Sequence, residues 1–219
     1  MRRASVVFKT YMTTQMACAG DASASNVYEN HFWHLYPGNE NCSEPRVLTV
    51  DYIRHLNPGA KTIMIVRNPT SRLYSSYKFY NQFTHLESNR EEFHEWAKEQ
   101  FELITDCFNE PIVGIYYVYV QDWLLRFPRE QVYITRLEDL SANVTGEMTK
   151  IFEFLELDPV NQETMAEIES AKRANVGTLS RKFGPILPAT KSLLDDFYRP
   201  FNRRLAQLLG DDRFLWEDD

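Results

Sequence analysis

The stretch TIMIVRNPTSRLYSSYKFY, residues 62–80, decides the fold. Its first five residues, Thr62–Val66, are mostly apolar and β-branched, and they lack the polar alternation of a half-exposed strand. Such a run is typical of a strand that is buried on both faces of a parallel sheet. Arg67 follows directly, and then come Asn-Pro, a second arginine and a pair of serines. We therefore predict a strand, a loop and a helix, with charged and hydroxyl side chains at the end of the strand.

The composition describes a globular chain of moderate size. Of its 219 residues, 43% are hydrophobic and 14% are aromatic, which is enough to build one sizeable core. Lys and Arg number 24 against 31 Asp and Glu, so the net charge is -7. General nucleic-acid binding is therefore not expected, and an anionic ligand must be met by a local basic pocket. Because no linker is evident, we predict a single domain over residues 1–219.

Neither a metal site nor a membrane span is predicted. The three cysteines lack metal-ligand spacing: Cys18, Cys42 and Cys107. The sequence allows equally one disulfide with a free thiol or three free thiols. No run of about 18 apolar residues occurs, and the N-terminal residues do not form a signal peptide, so no targeting signal is recognised. Two glycosylation sequons, at Asn41 and Asn143, slightly favour a secretory compartment.

A second strand and several helices follow from the same kind of pattern. The apolar run Gln131–Thr135 resembles the first strand, and the other segments carry apolar residues at helical spacing. The predicted helices are residues 71–83, 90–106, 111–127, 141–155, a short one after Pro159, and 189–209. Ser141 is the expected N-cap of the helix that it begins. Strands alternating with helices predict an α/β fold with a central parallel sheet.

The end of the first strand is the candidate binding site. In open parallel sheets, ligands bind beyond the carboxyl ends of the strands, where Arg67 lies. A helix that begins at Pro69 would leave Ser75 about 9 Å along the helix axis. A start near Ser71 would instead bring Ser75 beside Arg67, and guanidinium and hydroxyl could then bind one phosphate. The alternative is that the arginines form salt bridges and the serines are solvated.

This ensemble of strand, Arg, Pro, Arg and Ser resembles the 3′-phosphate-binding element of sulfotransferases, which use 3′-phosphoadenosine 5′-phosphosulfate (PAPS) as donor. Other stretches resemble the Golgi carbohydrate sulfotransferases, and the similarity spans residues 15–219. They are GDASASNVYEN at 20–30, GIYYVYVQDWLLRFP at 114–128, DFYRPFNRRLAQLL at 196–209 and FLWEDD at 214–219. The chain is identified from them as a member of this family.

The resemblance implies a fold, a donor and an acceptor. The fold would be the three-layer, P-loop-like sulfotransferase fold with a central parallel sheet. Arg67 and Ser75 would bind the 3′-phosphate of PAPS, and a second basic loop would close over the nucleotide, with no metal involved. The residues of that loop are Ser180, Arg181, Lys182 and Gly184, and its alternative is a solvated surface loop. The implied acceptor is a glycosaminoglycan, in particular the N-acetylgalactosamine of chondroitin or dermatan sulfate, and the implied location is the Golgi lumen.

The residues do not assign a catalytic group. Asp21 is similar to an acidic residue near the cleft of relatives, but it also suits a helix cap. Tyr116 and Trp123, seven residues apart on one helix face, are expected in the core. Three residues belong to a motif that resembles the family's, and they are expected to contact either the acceptor or the core: Tyr198, Arg199 and Asn202. The five histidines are expected on the surface or in packing: His31, His34, His55, His85 and His94.

Half of the donor site that relatives carry is not found. Relatives bind the 5′-phosphosulfate with a glycine-containing loop that follows an N-terminal strand, and no glycine precedes Gly20 here. We therefore expect that the chain begins partway through the fold, without the first strand, that loop, the catalytic base or the type II membrane anchor of relatives. Two functions remain open: a part of an active carbohydrate sulfotransferase, or an inactive relative that binds nucleotide or glycan. The oligomeric state is undetermined.

Overall fold

The computed structural model describes residues 33–81, 89–106, 114–171 and 183–217. The chain divides into two compact units, residues 1–58 and residues 59–219. The prediction of a single domain over residues 1–219 stays a prediction. The expected absence of a first strand and a 5′-phosphosulfate loop concerns residues outside the described ranges. Within those ranges, no helix is long and apolar enough to cross a membrane.

The described part of the first unit is organised around one buried amide. Asn39, which is 2% exposed, donates hydrogen bonds from Nδ2 to the carbonyls of Trp33 and Val47, at 2.7 and 2.8 Å. Its Oδ1 accepts from the backbone N–H groups of Arg46 and Val47, both at 2.8 Å. This satisfies four backbone groups in a segment with little regular structure. Helix α1, Thr49–Leu56, follows.

The second unit contains a parallel pair of strands. β1, Thr62–Val66, pairs with β2, Val132–Arg136, in a register that sets Val66 opposite Arg136. The prediction of a parallel α/β fold is confirmed, and β1 has the predicted bounds. β2 begins one residue later than predicted because Arg129–Gln131 form a 3-10 turn. Burial on both faces was wrong for β1, since Ile65 is 49% exposed.

The described part of the second unit also contains helices. Their bounds are α2 Pro69–Asn81, α3 Arg90–Asp106, α4 Tyr116–Arg126, α5 Leu137–Ala142, α6 Val144–Phe154, α7 Gln162–Ser170 and α8 Pro188–Leu209. The predicted single helix over residues 141–155 was wrong. The backbone of Asn143 leaves the helical region at φ −145°, and its Oδ1 accepts from the N–H of Gly146 at 2.9 Å. Asn143, rather than Ser141, therefore caps α6.

A cluster of buried side chains joins α2, α3 and α8. Its members are Tyr74, Phe93, Ala97, Ile115, Phe183, Leu194 and Tyr198. The hydroxyl of Tyr74 donates to the carbonyls of Phe183 at 3.3 Å and Gly184 at 3.0 Å. These contacts attach the segment that begins at residue 183 to the middle of α2.

A buried carboxylate links β2 to α6. Glu147 is 5% exposed, and its Oε2 accepts from the hydroxyls of Thr135 at 2.7 Å and Tyr133 at 3.3 Å. Its Oε1 pairs with the ammonium of Lys150 at 2.5 Å. Burial alone would raise the pKa of Glu147, but the hydrogen bonds from Lys150 and Thr135 outweigh it and hold the pKa below its ordinary value. Glu147 therefore stays ionised at neutral pH.

The backbone before α4 requires a glycine. Gly114 has φ +135°, and a Cβ placed there would lie 3.0 Å from the hydroxyl oxygen of Tyr198. Among described residues, α4 begins only at Tyr116, although its predicted start was Pro111, because Gly114 is not helical. By contrast, Gly210, the C-cap of α8 at φ +66°, has no heavy atom within 4 Å of such a Cβ.

The two glycines separate backbone strain from steric conflict. We expect Gly210→Ala to lower the free energy of unfolding by about 1 kcal/mol, the cost of a left-handed alanine. Gly114→Ala adds a close contact to the strain and should cost about 3 kcal/mol. Urea denaturation of both variants measures the difference, and equal losses would contradict the described packing against Tyr198.

Glu147 should make stability depend on pH. Because its pKa is lowered in the folded state, its contribution is present above the ordinary value of 4.5 and is lost as pH falls through the folded pKa. Glu147→Gln should cost about 2 kcal/mol at pH 7, and this deficit should shrink as the pH is lowered below 4.5. Urea denaturation at several pH values measures it. Glu153→Gln, at an exposed position of the same helix, is the control and should show no such deficit.

Candidate functional site

Two arginines stand at the same end of the strand pair, in different surroundings. Arg136 at the end of β2 is bound to Asp139 at 2.6 and 3.0 Å, and it donates to the carbonyl of Arg213 at 2.7 Å. Arg67 follows the last residue of β1 and is half-buried. Among the described residues, no carboxylate forms a salt bridge with Arg67. Of these two cations, only Arg67 lacks an acidic partner within the described part of the chain.

Only Asn68 separates Arg67 from the first residue of helix α2. The Oδ1 of Asn68 accepts from the N–H of Ser71 at 3.0 Å, and Pro69 is the first helical residue. An asparagine cap followed by proline is a favourable helix start, because proline needs no partner for an N–H. The predicted start at Ser71 was therefore wrong, and the alternative start at Pro69 is correct. Ser75 lies in the second turn, about 9 Å along the axis from Pro69.

A second cation shares the neighbourhood of Arg67. Ser71, Ser75 and Lys78 follow one another at helical spacing and lie on one face of α2. Burial and then the positive charge of Arg67 lower the pKa of Lys78, whose ammonium lies 4.3 Å from the ring centroid of Tyr74. Lys78 was not among the site residues predicted from the sequence. Its signal was the three-residue spacing from Ser75 on the same helix.

The second predicted loop is described only at its end. Ser180, Arg181 and Lys182 lie outside the described residues, so their role stays a prediction. Gly184 is described: it has φ +69°, and its carbonyl accepts the hydroxyl of Tyr74 at 3.0 Å. Gly184 thus contacts the residue that precedes Ser75 in α2.

The second arginine of the opening stretch, Arg72, acts on two tyrosines with buried hydroxyls. Burial raises the pKa of Tyr116 to about 12, and the charge of Arg72 is the main opposing influence. Burial likewise raises the pKa of Tyr198, again opposed first by Arg72. The hydroxyl of Tyr198 has no hydrogen-bond partner among the described residues, and the backbone of Arg67 also acts on the hydroxyl of Tyr116. Arg72 therefore lies beside tyrosines of α4 and α8.

The remaining candidates separate into core and surface. Trp123 and Tyr198 are buried, which confirms Trp123 in the core and assigns Tyr198 to packing. Arg199 is exposed and pairs with Asp196 at 2.6 Å. Arg199 and Asn202 also line a cavity of about 300 Å³ between the start of α2, α8 and the C-terminal segment.

The described histidines do not form a catalytic or metal cluster. His34 and His55 are exposed, and His94 shares a hydrogen bond of 2.8 Å with the hydroxyl of Thr190. Over the described ranges, no group of three His, Cys, Asp or Glu residues could hold a metal ion. The other candidates lie outside the described residues: Asp21, His31 and His85.

Comparison with known proteins identifies the family. The profile of the family described as "Sulfotransferase domain" matches residues 11–176. The chain belongs to this family. Human carbohydrate sulfotransferase 15 is 36% identical over 218 residues, which cover 90% of this chain and 38% of the human protein. Human heparan sulfate glucosamine 3-O-sulfotransferase 6 is 28% identical over 179 residues, covering 75% of this chain and 51% of that protein.

A solved structure supports the fold of this sulfotransferase-family chain. The crystal structure of a sulfotransferase from Alicyclobacillus acidocaldarius matches with a TM-score of 0.55 at 22% identity. The match covers 75% of this chain and 60% of that one. The resemblance to carbohydrate sulfotransferases and the α/β sulfotransferase fold predicted from sequence are confirmed. The chain spans well under half the length of human carbohydrate sulfotransferase 15, at 38%.

The coupling between the two cations of the site is testable without a ligand. Arg67→Gln removes a positive charge near Lys78, so the pKa of Lys78 should rise toward its ordinary value of 10.5. An NMR titration of lysine side chains measures this pKa. Arg126→Gln, which removes an arginine paired with Asp122 instead, should leave it unchanged. An unchanged pKa in Arg67→Gln would contradict the proximity of the two cations.

Proposed function

We propose that this chain is part of a carbohydrate O-sulfotransferase that transfers sulfate from PAPS to a hydroxyl of a glycosaminoglycan. The observation that carries the proposal is the half-buried Arg67, which has no acidic partner among the described residues. A half-buried arginine without an acidic partner, at the carboxyl end of a parallel strand, is suited to bind an anionic ligand. Membership of the sulfotransferase family makes the 3′-phosphate of PAPS the ligand of choice.

The described residues fit a phosphate group. The guanidinium of Arg67 can donate two parallel hydrogen bonds with full charge, and the start of α2 adds the positive end of a helix dipole. Ser75 supplies a hydroxyl, and Lys78 supplies a second positive charge near Arg67. Ser180, Arg181, Lys182 and Gly184 would form the second loop over the nucleotide. When bound, PAPS would supply the activated sulfuryl group.

The position of Ser75 along α2 limits how its hydroxyl can contribute to phosphate binding. Because Ser75 lies about 9 Å beyond Pro69, it does not share the first helical turn with the cap. The charge of Arg67 contributes to the lowered pKa of Lys78, which lies one turn beyond Ser75 on α2. In this proposal, Arg67 and Lys78 hold the phosphate charge, and the hydroxyl of Ser75, one turn before Lys78 on α2, orients the phosphate.

The acceptor and location follow from the relatives. Their names specify sulfate transfer to carbohydrate, so a glycosaminoglycan acceptor is proposed, in particular N-acetylgalactosamine in chondroitin or dermatan sulfate. With a net charge of -7, the protein would meet such a polyanion through a local groove. The proposed location is the Golgi lumen, with type II topology for the full-length protein. The relatives are described as sulfotransferases, which favours an enzyme over an inactive binding protein.

Binding of adenosine 3′,5′-bisphosphate, the nucleotide product, tests the donor site directly. In calorimetric titrations we expect binding by the 219-residue chain and a loss of at least about tenfold in Arg67→Ala, because a charge-assisted hydrogen bond is removed. Affinity should also fall as salt is raised. Arg126→Ala, which removes an equally half-buried arginine of α4, should bind like the parent. Equal affinity in Arg67→Ala would refute the proposed role of Arg67.

Transfer itself is tested with a glycosaminoglycan. Incubation of a chain extended at its N-terminus with radiolabelled PAPS and chondroitin sulfate should label the polysaccharide. Arg67→Ala in that longer chain should reduce the rate at limiting PAPS more than at saturating PAPS. Binding of the nucleotide without any transfer, by this chain and by a longer one, would instead support the inactive relative.

A further inference from the structure

One carboxylate joins three distant parts of the second unit. Glu138 lies in the first turn of α5, directly after β2, and is half-buried. Its Oε1 accepts the backbone N–H of Asn68 at 2.9 Å, and its Oε2 accepts the indole N–H of Trp216 at 3.3 Å. The carboxylate therefore connects the loop after β1, the end of β2 and the C-terminal segment.

The N–H that Glu138 accepts has a special place. It belongs to the residue between Arg67 and the first residue of α2, and Asn68 is 5% exposed. A buried N–H at this point has no partner within a helix or a strand, and leaving it without an acceptor is costly. The same asparagine caps α2 through its side chain. Glu138 and this cap together therefore fix the backbone on both sides of Asn68.

The neighbouring acid has a different set of contacts. Asp139 accepts from Arg136 at 2.6 Å and from Arg213 at 3.0 Å, and these bonds hold its pKa below the ordinary value. Asp139 thus supports the end of β2 and the C-terminal segment. Glu138 alone of this pair reaches across to the loop that follows β1.

The negative charge of Glu138 is unfavourable for the proposed phosphate site, so its carboxylate is expected to have another role. Glu138 contacts the residue next to Arg67, so its charge opposes the binding of a phosphate there. Because its two carboxylate oxygens are occupied by a backbone donor and an indole donor, its contribution is the reach and direction of an acceptor oxygen. A glutamine of equal length would keep one acceptor oxygen for the N–H of Asn68, while its amide nitrogen would give up the hydrogen bond from the indole N–H of Trp216.

We propose that Glu138 is a positioning residue for the phosphate-binding loop. By accepting the N–H of Asn68, it holds Arg67 and the start of α2 in the orientation that binds the 3′-phosphate of the donor. It acts through Arg67 and does not touch the ligand. This inference rests on the proposed function for the ligand, but the bond between Glu138 and Asn68 can be tested separately.

Paired substitutions separate reach from charge. Glu138→Gln keeps the length and an acceptor oxygen but removes the charge, whereas Glu138→Asp keeps the charge but is one methylene shorter. Calorimetric titration with adenosine 3′,5′-bisphosphate should give a parent-like or tighter dissociation constant for Glu138→Gln. For Glu138→Asp, and for Glu138→Ala if it folds, the dissociation constant should rise about tenfold. Asp139→Asn is the control and should stay within about threefold of the parent, even if its stability falls.

Hydrogen exchange of the Asn68 amide provides a readout without ligand. Exchange should be faster in Glu138→Asp than in the parent, and it should remain slow in Glu138→Gln and Asp139→Asn. Unchanged exchange and affinity in Glu138→Asp would overturn the inference. So would an equal loss of affinity in Asp139→Asn, or a loss in Glu138→Gln as large as in Glu138→Asp. If the parent itself does not bind the nucleotide, the proposed function fails, and exchange at Asn68 still decides whether Glu138 holds the loop.

Discussion

The parallel pairing of β1 with β2 is the constraint on which the rest of the site depends. Its register sets Val66 opposite Arg136, so the carboxyl ends of both strands lie side by side. The chain after each strand then begins a helix, α2 or α5, and the two helix starts become neighbours. Because of this, a side chain of one connection can bind the backbone of the other, although 70 residues separate Asn68 from Glu138.

The charged groups at the carboxyl ends of the two strands have different roles. Arg136 is enclosed by Asp139 and the carbonyl of Arg213, and it supports the structure there. Arg67 has no such partner among the described residues, and a second cation, Lys78, is near it. The positive charge of Lys78 near Arg67 favours an anionic ligand, because the repulsion between the two cations is relieved when a phosphate binds. The acidic surface of the whole protein is consistent with this arrangement, since only a local pocket must be positive.

Local patterns predicted the elements whose boundaries depend on local chemistry. β1 and α3 have the predicted bounds, because an apolar β-branched run and a long amphipathic period are local signals. Predictions failed where one polar or glycine residue overrode the period. Asn143 divides the expected helix into α5 and α6, and Gly114 delays α4 among described residues. The cap at Asn68 moved the start of α2 and with it the height of Ser75 above Arg67.

The sequence by itself determined the family, the parallel α/β class and the position of Arg67 at the end of a strand. These follow from residue order along one segment and from motifs that resemble relatives. Only the tertiary structure decided which arginine keeps its charge available, that Lys78 lies within the influence of Arg67, and that Glu138 accepts the N–H of Asn68. The physical reason is that propensity and periodicity act over a few residues. Charge pairing, burial and hydrogen bonds between the two loops arise only when the paired strands bring distant segments together at their carboxyl ends.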